Sequence, residues 1–205
     1  MNHYFTDNRH LAQNRKEITF RFSCFTCRFI TDNGVFCKDY VDYGSQELLK
    51  AIEKQGEMGS RVLDLGCGYG VIGIVLKKMY PDSRLTLAEI NPRSLQLAEE
   101  NAKLNDAEVE CVHSDVYSGV EGNTFTDIVT NPPIRAGKEI VHRMFEEGYE
   151  HLEDNGRLWV VIRKQQGASS AKKKIEEVFG NCEILQKSKG YYILFARKLD
   201  KLTSD

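Results

Sequence analysis

Four stretches of the sequence put polar groups where a ligand could meet them. The first is Asp64-Leu-Gly-Cys-Gly-Tyr-Gly70, where an apolar run (Val62, Leu63, Leu65) carries one acid and breaks into Gly66, Gly68 and Gly70. Val71, Ile72, Ile74, Val75 and Leu76 follow at helical spacing, so the stretch reads as strand, tight turn and helix. Glycines in such a turn permit positive φ and let a ligand lie against bare backbone. The new helix adds free N–H groups and a positive dipole end. The second stretch ends in Glu89, a carboxylate placed to accept both hydroxyls of a ribose. The third is His113-Ser-Asp115, in which Asp115 can accept from an adenine amino group while Val116 and Ile90 flank the ring. The fourth is Asn131-Pro-Pro-Ile134. Each has a plain alternative: Asp64 could cap something locally, an acid after a strand is often a helix cap, and paired prolines often stop a strand.

Two ligand classes use a glycine turn of this kind. Dinucleotide sites place G-x-G-x-x-G there and set a pyrophosphate on the helix N-terminus. Here the spacing is G-x-G-x-G with Gly73 three residues on, and Asp64 would repel a pyrophosphate but accept from an ammonium group. Asp-Leu-Gly-Cys-Gly-Tyr-Gly resembles motif I of the class I S-adenosylmethionine methyltransferases, whose ligand has an amino-acid end and no phosphate. A nicotinamide oxidoreductase is disfavoured by Asp64 and by the lack of a Tyr-Lys or His pair suited to hydride transfer. Asn131-Pro-Pro-Ile resembles motif IV of methyltransferases acting on nitrogen, usually Asn-Pro-Pro followed by Tyr or Phe. The Asn131 side-chain oxygen and the Pro132 carbonyl can hold the two N–H groups of a conjugated amine and aim its lone pair at a methyl group. Prolines lock the loop, so the acceptors are preorganised, and positioning rather than a strong base supplies the rate. Ile134 stands where an aromatic residue often stacks the base.

The resemblance narrows over Gly34 to Ser45, His113-Ser-Asp-Val-Tyr117, Asn131 to Lys138 and Arg163-Lys-Gln-Gln-Gly-Ala168. Together these are similar to the small-subunit ribosomal RNA guanine-N2 methyltransferase family, from about Ile18 onward, in its short single-domain form. The resemblance implies S-adenosylmethionine as cofactor, RNA as partner, and Phe36, Asp42 and Gly44-Ser45 near the cofactor. Combined with the residue reading, the expected cofactor set is Asp64, Gly66, Cys67, Gly68, Gly70, Glu89, Ile90, Asn91, Asp115, Val116 and Asn131. Asn131, Pro132 and Pro133 are expected to be catalytic, and Ile134, Arg135, Lys138, Arg163 and Lys164 to meet the substrate. A protein glutamine or adenine-N6 methyltransferase shares Asn-Pro-Pro but usually has the aromatic fourth residue. A non-catalytic RNA-binding module is a further alternative, opposed by the intact Asp64, Glu89, Asp115 and Asn131.

The elements that must position these groups alternate along the chain. Residues 1–17 read as a polar arm, and Ile18, Phe20, Phe22, Phe25 and Phe29 as a small β addition. A helix from Gln46 follows, with Ser45 as its cap. Strands are expected over 61–65, 84–89, 108–113, 126–130 and 157–162, and helices over 71–76, 92–104 (capped by Asn91), 138–152 and 167–179. Strands at 182–186 and 191–196 around Lys187-Ser-Lys-Gly190 read as a hairpin. The alternation predicts an α/β, doubly wound, mostly parallel seven-stranded sheet with an antiparallel C-terminal strand. The expected division is 1–43 for the arm and β addition and 44–205 for the methyltransferase domain.

At 205 residues the chain can bury a full core, and its 41% hydrophobic and 28% charged content is ordinary. No apolar run reaches membrane-spanning length and no signal-peptide pattern opens the chain, which points to a cytoplasmic protein. A net charge of −2 gives no global pull toward nucleic acid, so RNA binding needs a local patch. Basic residues gather in the second half, at Lys172 to Lys174, Lys187, Lys189, Arg197 and Lys198 besides those near Asn131. Lysine runs on helices are often only solvated faces. Six dispersed cysteines are expected to be reduced. Cys24-x-x-Cys27, with Cys37 and His10 poorly spaced for zinc, reads as a strand with small side chains, and no metal is expected.

Overall fold

The computed structural model describes residues 12–199. A hairpin of β1 (Lys16–Phe22) and β2 (Phe25–Thr31) leads into α1 (Tyr43–Gln55), β3 (Arg61–Leu65), α2 (Val71–Met79), β4 (Arg84–Glu89) and α3 (Pro92–Leu104). Then come β5 (Glu110–His113), β6 (Phe125–Thr130), α4 (Lys138–His151), β7 (Leu152–Arg163), α5 (Ala168–Phe179), β8 (Glu183–Ser188) and β9 (Tyr191–Arg197). Strands β3 to β9 form one sheet in the order β5-β4-β3-β6-β7-β9-β8, and β1-β2 form a second, two-stranded one. Neighbours from β5 to β7 are parallel, and β9 runs antiparallel to both β7 and β8. This is the expected doubly wound sheet with its reversed C-terminal strand and small N-terminal addition.

Strand alternation sorts the core. On β3, Val62 faces one apolar cluster and Leu63 and Leu65 face another across the sheet. The first cluster holds α1, α2, α3 and the buried face of the hairpin (Ile18, Phe20, Phe22, Cys27, Phe29), and the second holds α4 and α5. Asp64 shares the face of Val62 and so points toward α2. On the same face Asp127 accepts from Arg157 Nε at 2.6 Å, Trp159 Nε1 at 2.9 Å and Gly59 N at 2.8 Å, which satisfies a fully buried carboxylate at the start of β6.

Several boundaries differ from those the sequence predicts. The arm expected over 1–17 lies outside the described residues as far as 11, as does His10. Lys16 and Glu17 are already in β1, paired with Thr31 and Ile30. Asp42 caps α1, not Ser45: its side chain accepts from Ser45 N, and the helix starts at Tyr43. β5 starts at Glu110 and β7 at Leu152, where a bulge between Phe125 and Asp127 lets β6 pair on both sides of residues 153–156. The C-terminal hairpin closes in two residues, Lys189 and Gly190, both at positive φ (46° and 80°), as a tight turn between right-twisted strands requires. Asn91 and Pro92 cap α3 as expected. Cys24 is exposed in the β1–β2 turn and Cys27 is buried in β2. Among the described residues no three His, Cys, Asp or Glu side chains gather as a metal site, and no helix is long and apolar enough to cross a membrane.

The hairpin is fastened to α3 by two carboxamides one helical turn apart. Asn101 Oδ1 accepts from Ile30 N at 2.6 Å and its Nδ2 donates to Ile30 O at 3.0 Å. Asn105 does the same for Arg28, at 2.9 and 2.7 Å. Asn101 also donates to Tyr69 O at 2.9 Å, so one fully buried amide ties β2, α3 and the glycine turn together. Replacing it leaves buried backbone groups unpaired, at about 1–3 kcal/mol each. We expect Asn101→Ala to destabilise the protein by about 3 kcal/mol in urea denaturation. The isosteric Asn101→Asp should lose at least as much, because it cannot donate to either carbonyl. Full stability in Asn101→Asp would show that shape, not amide pairing, holds the hairpin.

Candidate active site

The glycine turn is built by close main-chain contacts. Gly66, Gly68 and Gly70 all have positive φ (72°, 57° and 93°), and the N–H groups of Gly66 and Cys67 donate to Ala88 O at 2.9 and 3.1 Å. Asp64 Oδ2 accepts from Gly73 N at 2.8 Å, in the first turn of α2. A Cβ on Gly73 would lie 2.5 Å from Leu87 Cδ1 and 3.1 Å from Asp64 Oδ2, so glycine there lets helix, strand and carboxylate meet. Asp64 Oδ1 is buried with no hydrogen-bond partner.

A cavity of about 300 Å3 opens at the carboxyl ends of β3, β4, β5 and β6. Glu89 lines it, with Oε2 accepting from Gly68 N and Oε1 from Asn91 N, both at 2.8 Å. Two main-chain donors fix that carboxylate and leave each oxygen a lone pair for a hydroxyl. Burial raises the Glu89 carboxyl above its ordinary range, against the pull of the Asn91, Gly68 and Ile90 N–H groups and of His113. Ile90, Asp115 and Val116 share the wall, with Ile90 39% exposed and so open to a flat ligand. Val116 is held at φ 52°, where Ser114 Oγ donates to its carbonyl at 2.7 Å. The wall carries three carboxylates, Asp42, Glu89 and Asp115, and no Lys or Arg. Such a lining suits a cationic ligand and disfavours a phosphate.

Asn131 follows β6 and is held from the N-terminal side. Its Nδ2 donates to Asp42 Oδ2 at 2.9 Å and to Ser45 Oγ at 3.0 Å. A carboxylate partner fixes which end of the amide is nitrogen, so Oδ1 is the end left for a ligand. The Pro133 carbonyl accepts from Ala136 N at 2.8 Å, closing a short turn over 134–136. Neither Asn131 Oδ1 nor the Pro132 carbonyl accepts a hydrogen bond from another described residue. Both are unpaired acceptors on one proline-stiffened loop, with Asn131 in the cavity wall.

The cavity wall gathers Gly66, Cys67, Gly68, Glu89, Ile90, Asp115, Val116, Asn131 and Pro133 of the expected set, together with Phe36, Asp42 and Ser45. Four expected contacts take other places. Asp64 lies behind the turn, with Oδ2 on the Gly73 N–H and Oδ1 unpaired. Gly70 is the left-handed cap of α2 and Asn91 the side-chain cap of α3, and Pro132 is buried outside the wall. Ile134, half-buried, and the exposed Arg135, Lys138, Arg163 and Lys164 stand outside the wall too. Ile140 and Met144 of α4 line the cavity unforeseen, because their spacing is that of ordinary core positions. Tyr69 was missed as well: its hydroxyl donates to Cys37 O at 3.2 Å and so pins the 32–42 loop to the glycine turn.

Sheet order, reversed strand and cavity together define a class I methyltransferase fold. A solved structure from T. thermophilus, a 16S rRNA N2 guanine methyltransferase (RsmC) in complex with AdoMet and guanosine, superposes with a TM-score of 0.82 at 27% identity, covering 90% of this chain and 50% of that one. Residues 26–195 match the family described as methyltransferase small domain, and the chain belongs to that family. It is 42% identical to the uncharacterized protein YbxB of Bacillus subtilis over 96% of this chain and 98% of that one. It is 31% identical to ribosomal RNA small subunit methyltransferase C of Vibrio cholerae over 80% of this chain and 48% of that one. The chain therefore spans about half the length of the ribosomal RNA methyltransferases it matches.

Burial pushes the Asp64 carboxyl up to about 7, opposed by the Gly73 N–H and reinforced by Glu89. An acid whose pKa is raised on folding holds its proton more tightly in the folded state. Its contribution to stability is full below about pH 4 and is lost as pH rises through about 7. We expect Asp64→Asn, which keeps an acceptor for Gly73, to flatten that slope. Between about pH 4 and pH 8 the wild-type unfolding free energy should fall by about 1–4 kcal/mol more than the variant's. Parallel urea titrations of the two proteins over this range measure it, and equal slopes would return Asp64 to an ordinary carboxylate.

Proposed function

We propose that this protein transfers a methyl group from S-adenosylmethionine to an exocyclic nitrogen of RNA, namely guanine N2 of small-subunit ribosomal RNA, in the cytoplasm. The observation that carries the reading is the Asn131 carboxamide in the cavity wall, oriented by Asp42 and Ser45 so that its oxygen remains unpaired. The acid-rich, cation-free cavity wall supports the cofactor, and the guanosine complex of the T. thermophilus structure supports the base.

When bound, S-adenosylmethionine supplies an electrophilic methyl group. Glu89 accepts from the ribose hydroxyls, Ile90 and Val116 flank the adenine, and Asp115 accepts from its amino group. Bare backbone at Gly66, Cys67 and Gly68 admits the amino-acid end. Asp64 acts at one remove, by holding the turn. Asn131 Oδ1 and the Pro132 carbonyl accept the two N–H groups of the guanine amine, favour its pyramidal form and aim the lone pair. Pro133 keeps the loop stiff. Ile134 borders the entry, and Arg135, Lys138, Arg163 and Lys164 hold RNA phosphates, contacts that fix position rather than read sequence. Residues 1–43 are the N-terminal arm and β addition and 44–205 the methyltransferase domain. Phe36, Val41 and Asp42 of the first part stand in the wall.

Tritium transfer from labelled S-adenosylmethionine to RNA, protein and DNA fractions, followed by nucleoside analysis, tests the reading. N2-methylguanosine in the small-subunit fraction is expected, and label confined to protein would overturn it. Asn131→Ala should lower kcat on the order of a hundredfold with KM little changed, because the lost bond strengthens toward the transition state. A near wild-type rate would reduce Asn-Pro-Pro to a loop stop. Glu89→Ala should weaken cofactor binding by about 1–3 kcal/mol in calorimetry, and unchanged affinity in the folded variant would remove the ribose assignment.

A further inference from the structure

A row made of two adjacent rings with a cation on each stands beside the Asn131 loop. Lys189 Nζ lies 4.8 Å from the centre of the Tyr43 ring, and the Arg163 guanidinium carbon 4.8 Å from that of Tyr191. The two rings are 5.7 Å apart, inclined at 55°. The row is coupled to the site through Asp42, whose Oδ1 accepts from the Tyr191 hydroxyl at 3.4 Å while its Oδ2 holds Asn131.

The row is specifically built. A Cβ on Gly44 would lie 2.7 Å from Tyr191 Cε1, so that ring packs on bare backbone. The Tyr43 hydroxyl shares a hydrogen bond with Ser188 Oγ at 2.7 Å. Lys189 occupies a left-handed turn position, φ 46°, where Asn, Asp or Gly is favoured. Its charge is also uncommitted: among the described residues neither Lys189 nor Arg163 is in an ion pair, whereas Lys172 pairs with Glu176 and Lys174 with Glu146. Lys172 and Lys174 of α5 are thus neutralised by nearby glutamates, and the cations of the row are not.

We propose that this row is the docking ridge for single-stranded RNA flanking the target nucleotide, with Arg163 and Lys189 taking phosphates and Tyr43 and Tyr191 holding the cations in place and offering ring faces to neighbouring bases. The proposal rests on RNA being the substrate. Two ring faces flanked by a cation at each end match a strand that offers both bases to stack and phosphates to pair, whereas an acidic peptide supplies only the charge. A single strand fits because a base must leave its stack to enter the cavity.

The test measures affinity for a fluorescent single-stranded RNA oligonucleotide across a salt series. Arg163→Ala with Lys189→Ala should weaken binding at least about tenfold and lower the slope of log Kd against log salt by about 1.4, at about 0.7 per lost phosphate contact. Tyr43→Ala should weaken binding and Tyr43→Phe should not. Lys174→Ala serves as the control with no effect, and unchanged affinity for S-adenosylmethionine certifies that each variant is folded. Wild-type RNA binding with an unaltered slope in the double variant would overturn the ridge and the phosphate role of Arg163, and leave the proposed methyl transfer standing. A wild-type protein that binds no RNA, or that prefers an acidic peptide, would overturn both.

Discussion

β3 and β6 lie side by side, yet the chain leaves them in opposite directions: α2 packs on one face of the sheet and α4 on the other. A gap between the two connections is unavoidable where the winding reverses. Every group with chemistry to offer faces that gap or its rim: the glycine turn after β3, Glu89 after β4, Asp115 after β5 and Asn131 after β6. Parallel strands make this possible because all four end on the same side. The remaining elements narrow an opening that topology has already made.

The acids of the site are chiefly main-chain ligands. Asp64 holds the first turn of α2, Glu89 holds Gly68 and Asn91, and Asp42 holds Ser45. Each takes N–H groups that a helix start or a tight turn would otherwise leave unpaired. Two of the carboxylates that give the cavity its sign, Asp42 and Glu89, therefore also keep its backbone in shape. A cationic ligand would find that field already set, with little left to reorganise.

The sheet was legible because strand and helix periods alternate cleanly and because glycine, proline and Asn91 mark the turns. The strand-end groups were legible because residue type and register agree at four successive strands. What escaped depended on distance in sequence. The spacing of Asp64 suggested a ligand contact, but side-chain alternation turns it toward α2 and Gly73. Ser45 looked like a cap, yet Asp42 three residues earlier reaches its N–H and, across 89 residues, the Asn131 amide. Nothing in the sequence sets Met144 and Ile140 apart, because a cavity wall and a core make the same demand of a helix face. The absence of an ion pair at Arg163 and Lys189, against the paired Lys172 and Lys174 of α5, depends on where glutamates fall in space, and no run of residues records that.

The pairing of Asn101 and Asn105 with β2 bears on how the chain reaches this structure. Two side-chain amides imitate the edge of a neighbouring strand, taking both the N–H and the C=O of alternate residues. β2 therefore has no open edge on that side and offers nothing there for another molecule to pair with. The surrogate strand comes late, however. Ile30 waits for an amide 71 residues further along, and Arg28 for one 77 residues away. During synthesis β2 emerges first and is sealed only after α3 has formed, so the main-chain edge at Arg28 and Ile30 stays open through that interval. Contacts of such long sequence separation form slowly, which makes this hairpin the segment through which newly made copies would most readily associate.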